Sequence, residues 1–512
     1  MARLDRLTTV KSLAQLAATW GREFSYALLH AVAPWDEATL QQGLHQLVEA
    51  EFLYQRGVPP QATYTFKHAL IQDVAYQSLL RSTRQQYHQR MAQVLEAQFP
   101  EIVETQPELV AHHYTEAGLS ALAITYWQQA GERAVQHSAY VEAIGHFTKG
   151  LEVLKALPET PERARRELHL QTALCPALAI TQGPAAPETE QAYTRAEELC
   201  GQVGETSQLF PVLWGFWRFY NHRAEHHRAR TLGEQLLSLA HQTHDPALLL
   251  EAHHTLWATL VTSGELVAAR AHLEQGLSLY AASQHRSHAA LYGGHDSGVC
   301  CFSHAAWTLW MLGYPDQALR SIHAGLTLAR ELAHPVSLAI ALRWMAMLQQ
   351  SRQEKQAARE AAEACAALAG EQGFAPESAQ AMILRGWALV ERGRGTEEIV
   401  QIHQGLAAYR ATGSVLRQSY YLALLAEAYG KVGQVEEGLK SLTKHWQECT
   451  KLGRRAARPN STGSKGSCCS PESHVERRKS LLRIRKKQRS ASSRPSPWPS
   501  ASRPGRGSCG PR

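Results

Sequence analysis

The chain is poor in the features that would give a quick answer. No run of roughly eighteen apolar residues occurs, so nothing reads as a membrane-spanning helix. Residues 1–24 set Arg3, Asp5, Arg6, Lys11, Arg22 and Glu23 around an amphipathic helix, which is not the apolar core of a signal peptide, and a cytoplasmic location is expected. Cys175, Cys200, Cys300, Cys301 and Cys365 show no C-x-x-C spacing, so neither a zinc site nor a disulfide framework is suggested, and they read as buried, small apolar fillers. The motif G-x-x-x-x-G-K-[ST] is absent; the nearest string, GSKGS at 463–467, lacks the spacing to wrap a phosphate. The paired aspartates with which a cyclase positions two metal ions are also missing, and no catalysis, cofactor or metal is expected.

What is present is a rhythm. At intervals of about forty residues an apolar stretch ends in a turn and a small residue opens a second stretch, the mark of a stacked helical array. The clearest copy is Trp257, Leu260, Gly264, Ala269, Leu273 and Gly276. Others are Ala306, Leu309, Gly313, Ala318, Ile322 and Gly325; Met345, Leu348, Arg352, Ala357, Ala361 and Ala364; Gly386, Leu389, Gly393, Glu398, Ile402 and Gly405; and Ala426, Tyr429, Gly433, Gly438 and Leu442. Trp217, Tyr220, Ala224, Ala229 and Leu236 fit the same frame less well. Spacings of three, four and seven put these residues on one helix face, and small residues let the axes approach. The pattern resembles the tetratricopeptide repeat, with a longer period. Trp127, Gly131, Ala143, Phe147 and Gly150 form an N-terminal copy, and a degenerate pair is expected between 160 and 208 with Tyr193 and Ala196 on its second helix. The expected fold is all-α: a solenoid of about eight helical pairs over 104–443.

Residues 1–100 differ. Helices are expected at about 9–20 and 24–32, with a third opening at Asp36 as N-cap. FLYQ (52–55) and TYTF (63–66), joined through Pro59 and Pro60, read as a hairpin, with helices resuming near His68 and Arg84. Three helices and a hairpin suggest a winged helix. Its third helix offers Gln41, Gln42, His45, Gln46 and Glu49 but no Lys or Arg, a poor surface for DNA phosphates.

The strings MARLDRL, GREFSYALLHAV, DEATLQQGLHQLVEAEFLYQRG, TFKHALIQDVAYQSLL, AHHYTEAG and GYPDQAL resemble those of large bacterial regulators that join an adenylate/guanylate cyclase domain to a STAND-type ATPase and then to tetratricopeptide repeats. The resemblance covers roughly residues 1–443. It implies that the winged helix belongs to an ATPase switch, that Met1 corresponds to an internal position, and that cyclase domain and phosphate loop lie upstream. By the same analogy His68 could touch a bound nucleotide; a helix-start histidine satisfied by backbone oxygens is preferred.

Smaller constellations have competing readings. His222 and His226, with His227, could share a helix face as metal ligands, but nothing completes the set and a solvated face is preferred. E-x-H-H at 251–254 is not the H-E-x-x-H of a metalloprotease. His295 and Asp296, in a loop with Gly293, Gly294 and Gly298, could approach a ligand; a structural turn is preferred.

Residues 444–512, with Cys449, Cys468, Cys469 and Cys509, are rich in Ser, Pro and Arg and carry the basic excess; the remainder is net acidic. They read as a disordered basic tail, able to hold nucleic acid only non-specifically, or as a frameshift product. Undoing a one-base shift restores KHWQECTKLG (444–453) to EALARVHKTG, a helical string, which places the change of frame near Thr443. Resequencing that end of the gene decides it.

The expected function is a non-catalytic scaffold whose concave face binds a protein, a peptide or a small effector. The alternatives are the regulatory part of a cyclase or ATPase, and a winged-helix transcription regulator.

Overall fold

The computed structural model describes residues 8–204, 208–285, 288–390 and 395–443. The expectations for the tail, for MARLDRL and for Gly393 lie outside these residues. Residues 1–443 form one compact unit.

The chain begins with α1 (Thr8–Trp20), β1 (Glu23–Ser25), α2 (Tyr26–Val32), α3 (Glu37–Glu49), β2 (Leu53–Arg56) and β3 (Thr63–Phe66), the strands forming an antiparallel sheet in the order β1-β3-β2. Asp36 caps α3 as expected, its Oδ1 accepting from the Thr39 amide at 2.9 Å. The hairpin is where the alternation of Thr63, Tyr64, Thr65 and Phe66 puts it, with Tyr64 and Phe66 buried. The stretch expected as helix from residue 24 opens instead as β1, with Phe24 opposite Tyr64. Three residues carry no period of their own, and this strand is specified by an edge some forty residues away.

α4 (Ala69–Gln77), α5 (Arg81–Gln98), α6 (Pro100–Thr105) and α7 (Pro107–Glu116) lead into the repeats. These pair α8 (Ser120–Gln136) with α9 (Tyr140–Leu154), α10 (Pro161–Thr181) with α11 (Pro187–Val203), α12 (Leu209–His222) with α13 (His226–Thr243), and α14 (Pro246–Ser263) with α15 (Leu266–Leu279). After the short α16 (Ala282–His285) and α17 (His288–Leu291) come α18 (Ser297–Met311) with α19 (Pro315–Glu331), α20 (Pro335–Arg352) with α21 (Lys355–Gln372), and α22 (Ala375–Leu389) with α23 (Thr396–Ala411). α24 (Gln418–Lys431) is followed by helical residues 435–443.

The turns explain the frame. A left-handed residue sits between the helices of many pairs: Ser138, Ala224, Gly264, Gly313, Gln353 and Gly433 all have φ between 56° and 92°. In αL the chain satisfies the last carbonyls of the first helix, and glycine adopts it without a Cβ penalty. Five residues beyond Gly264 and Gly313, Ala269 and Ala318 are fully buried. The third copy needs a correction of one residue, because its left-handed position is Gln353 rather than Arg352. Ala358, Ala362 and Cys365 are accordingly buried, whereas Ala357 is half-buried and Ala364 is exposed. A run of alanines has no large residue to fix its phase, which is why the sequence misleads there.

Small residues mark close helix crossings. A Cβ on Gly131 would stand 2.3 Å from the buried Phe147 ring, and one on Gly276 would stand 2.3 Å from Trp257.

The first helix of each pair packs on the first helix of the next, so α10, α12, α14, α18, α20, α22 and α24 make an inner layer. That layer closes on itself, since α10 also meets α22. The backbone is in contact across the closure: a Cβ on Gly413 would fall 1.9 Å from the Ala185 carbonyl oxygen, and the Val415 amide donates to the His222 carbonyl at 2.9 Å. Tyr140 and Phe374 pack edge to face at 6.0 Å on the same seam. The array completes a turn and its remote parts touch.

Candidate functional site

An inner layer touched on all sides by helices should be apolar. Here it is not. Two polar clusters occupy it.

The first gathers three guanidiniums. Arg343 Nε donates to Glu377 Oε2 at 2.5 Å, with both side chains largely buried. Arg343 and Arg417 both lie against the Trp344 ring, 5.0 and 4.6 Å from its centroid. Arg218 donates to the Gly293 carbonyl at 2.7 Å. Burial lowers the pKa of Arg218 and Arg417; on Arg343 burial acts the same way, but Glu377 outweighs it and the pKa rises. Burial, and then Arg218, Arg417 and Arg343, hold the His222 imidazole well below its ordinary value. His222 Nδ1 meets Ser414 Oγ at 3.0 Å, and Ser414 donates to Tyr409 Oη at 2.9 Å. Tyr421 donates to Gln380 Oε1 at 2.7 Å.

The second cluster is built from α14, the loop before α18, and α18. Glu251 is fully buried; it takes Ser297 Oγ–H at 2.5 Å on one oxygen and stands 3.3 Å from His254 Nδ1 on the other. His254 Nε2 in turn stands 3.1 Å from Cys300 Sγ. His295 turns Nδ1 to the Gly293 carbonyl at 3.1 Å, and His304 Nδ1 stands 2.9 Å from the Cys300 carbonyl. Burial opposes charge on His254, yet Cys300 and Glu251 outweigh it and push its pKa up to about 10. Burial would raise the Cys300 thiol, but His254, His304 and His295 bring it well below its ordinary value.

E-x-H-H at 251–254 and the His295 loop lie apart in the sequence; the fold brings them together with Cys300. The loop is a structural turn, as expected: Asp296 caps α18 through the Val299 amide at 2.8 Å and accepts from Tyr280 Oη at 2.9 Å. It is also the element that delivers His295 into the interior. Cys300 is buried like the other four body cysteines, but its neighbours are imidazoles and it is no apolar filler.

The remaining residues fall as follows. His222 ends α12 and His226 opens α13, so they do not share a helix face, and His222 belongs to the inner layer rather than to solvent. His68 is the exposed N-cap residue of α4 and its side chain makes no capping hydrogen bond, contrary to the expectation of a histidine satisfied by backbone oxygens. Gly131, Ala143, Phe147, Gly264, Ala269, Gly313, Ala318 and Gly433 hold helix crossings and turns, while Ala357 yields its place to Ala358. A further histidine group, His88, His112 and His113, went unnoticed in the sequence; His88 and His113 meet through their Nδ1 atoms at 2.8 Å between α5 and α7. No helix among the described residues is long and apolar enough to cross a membrane.

No family model matches the chain. A curated relative, Uncharacterized protein R02095 of Rhizobium meliloti (strain 1021), is 26% identical over 443 residues, which is 86% of this chain and 43% of the relative. The chain therefore spans less than half the length of that relative. Among solved structures, the Rap protein complexed with competence and sporulation factor superposes with a TM-score of 0.51 at 11% identity, over 74% of this chain and 98% of the other. A signal transduction ATPase with numerous domains (STAND) and a tetratricopeptide repeat sensor, from Pyrococcus horikoshii, gives 0.43 at 11% identity, over 87% and 64%. The protein is a helical-repeat solenoid of the tetratricopeptide type.

Proposed function

We propose that the closed inner layer is the receptor site of a non-catalytic scaffold and that its ligand is an acidic peptide segment. One observation carries this reading: Arg218, Arg343 and Arg417 are gathered around Glu377 in the inner layer, Arg343 buried and the other two half-buried. Guanidiniums in a low-dielectric interior need compensating negative charge, and an incoming carboxylate supplies it with bidentate geometry. The Rap protein of similar fold was solved in complex with a factor, which agrees with a solenoid that holds a partner.

The N-terminal sheet and its three helices fit the winged-helix portion of a STAND-type switch, as the sequence resemblance implies. In such a protein, occupation of the solenoid would bias the switch through differential affinity for its states.

The test uses immobilised random heptapeptide pools of acidic, neutral and basic composition, probed with the full chain at two salt concentrations. The acidic pool should be retained above the others, and Arg417→Ala should remove that preference. Equal retention of the three pools, or an acidic preference indifferent to Arg417→Ala, refutes the reading.

A further inference from the structure

The second polar cluster has a geometry that the receptor reading does not use. Among the described residues, His254, His295 and Cys300 bring one ligand atom each within 4.8 Å of one another. All three are buried, at 1%, 7% and 3% exposure. Their origins are separate: His254 from the middle of α14, His295 from the loop ahead of α18, and Cys300 from the first turns of α18.

Each imidazole already has its orientation fixed. Glu251 holds His254 through Nδ1 at 3.3 Å, which directs Nε2 at Cys300 Sγ. The Gly293 carbonyl holds His295 through Nδ1 at 3.1 Å, leaving Nε2 as its ligand atom. A carboxylate or carbonyl on the far nitrogen is the outer-shell arrangement that fixes tautomer and direction in metal-bound histidines. Glu251 is itself held by Ser297 Oγ at 2.5 Å. Tetrahedral zinc with ordinary Zn–S and Zn–N bonds separates the sulfur from a nitrogen by about 3.6 Å. The observed 3.1 Å between Cys300 Sγ and His254 Nε2 is thus half an ångström from the edge of that tetrahedron.

We propose that His254 Nε2, His295 Nε2 and Cys300 Sγ form a binding site for a divalent cation of the zinc class, with Glu251 as the residue that positions His254. One thiolate and two imidazoles are the donor set of zinc and its borderline-soft neighbours, not of magnesium or calcium. Three protein ligands leave the fourth position to a water molecule. His304 stays outside the set because its Nδ1 is engaged with the Cys300 carbonyl at 2.9 Å. Binding at this point ties α14, the loop and α18 together inside the closed turn. The proposal is independent of the acidic-peptide reading, which rests on other residues.

The test is an anaerobic titration of the chelator-stripped full chain with Co²⁺, followed by displacement with Zn²⁺. The expected result is one equivalent of Co²⁺ per chain, with tetrahedral visible bands and a near-ultraviolet thiolate charge-transfer band. Cys300→Ser should remove the charge-transfer band, while Cys301→Ser should keep it, because Cys301 Sγ faces the Leu273 carbonyl on another side of α18. Glu251→Gln should weaken binding by roughly tenfold or more and leave the band shape intact. X-ray absorption of the zinc-loaded wild-type chain should show one sulfur and two imidazole nitrogens, a readout independent of whether any variant folds. A wild-type chain without the charge-transfer band, a band retained in Cys300→Ser, or an absorption spectrum without sulfur overturns the site.

Discussion

Glu377→Ala is the substitution that most directly probes the charge balance of the inner layer. Glu377 and Arg343 are joined at 2.5 Å with 13% and 6% of their side chains exposed, and Arg218 and Arg417 share the same surroundings. Breaking a buried pair by deleting one partner costs about 3–5 kcal/mol, because the other charge is left uncompensated. The cost should be asymmetric. Without Glu377, Arg343 and Arg417 are left beside each other and Arg218 loses the same carboxylate; without Arg343, Glu377 still has Arg218 and Arg417 nearby. Arg343→Met should therefore destabilise less than Glu377→Ala, and the double variant Arg343→Met/Glu377→Leu should recover part of the loss, since apolar replacement of a buried pair is often neutral or stabilising. The assay is urea unfolding of the full chain followed by far-ultraviolet circular dichroism, in low and high salt. Salt should change the differences little, because buried charges are weakly screened. A loss below about 1 kcal/mol for Glu377→Ala, the size expected of a solvated pair, would show that the interior is wet and the reasoning wrong.

Three further outcomes are expected. His88 is lowered to about 3 and His113 well below its ordinary value, in both cases first by burial, so both stay neutral when folded while the unfolded imidazoles protonate near 6.5. Stability should therefore fall as pH drops from about 6.5 toward 3, and a thermal melt series should show this slope flattened in a His88→Gln/His113→Gln variant. Ala358→Leu should cost about 1–3 kcal/mol by overpacking and Ala357→Leu distinctly less, measured by urea unfolding; the reverse order would restore the uncorrected frame. Gly131→Ala places a methyl 2.3 Å from the Phe147 ring and should lower the melting temperature, whereas Gly145→Ala, with open space around it, should not.

The repeat architecture was legible because each unit carries its own local signal: large residue, turn, small residue, at fixed spacing. Trp257, Gly264 and Ala269 state their roles without reference to the rest of the chain. β1 and the alanine-rich α21 were misread, because the first depends on a distant strand and the second has no bulky residue to set its phase. The polar clusters were illegible for another reason. Glu251 and His254 meet His295 and Cys300 only where α14 packs on α18, and Arg218, Arg343, Glu377 and Arg417 share a centre only because the superhelix closes. Histidines at 251–254 and 295 were visible as residues but not as neighbours.

The contact of residues 183–185 with 412–413 has a bearing on how this protein can change. An open solenoid tolerates the gain or loss of a unit, because each unit answers only to its neighbours. Here a pair inserted or deleted anywhere between α12 and α23 would carry Gly413 away from Ala185 and Val415 away from His222. Length is thereby fixed by geometry, and the number of repeats between those two points becomes as constrained as the residues of a core.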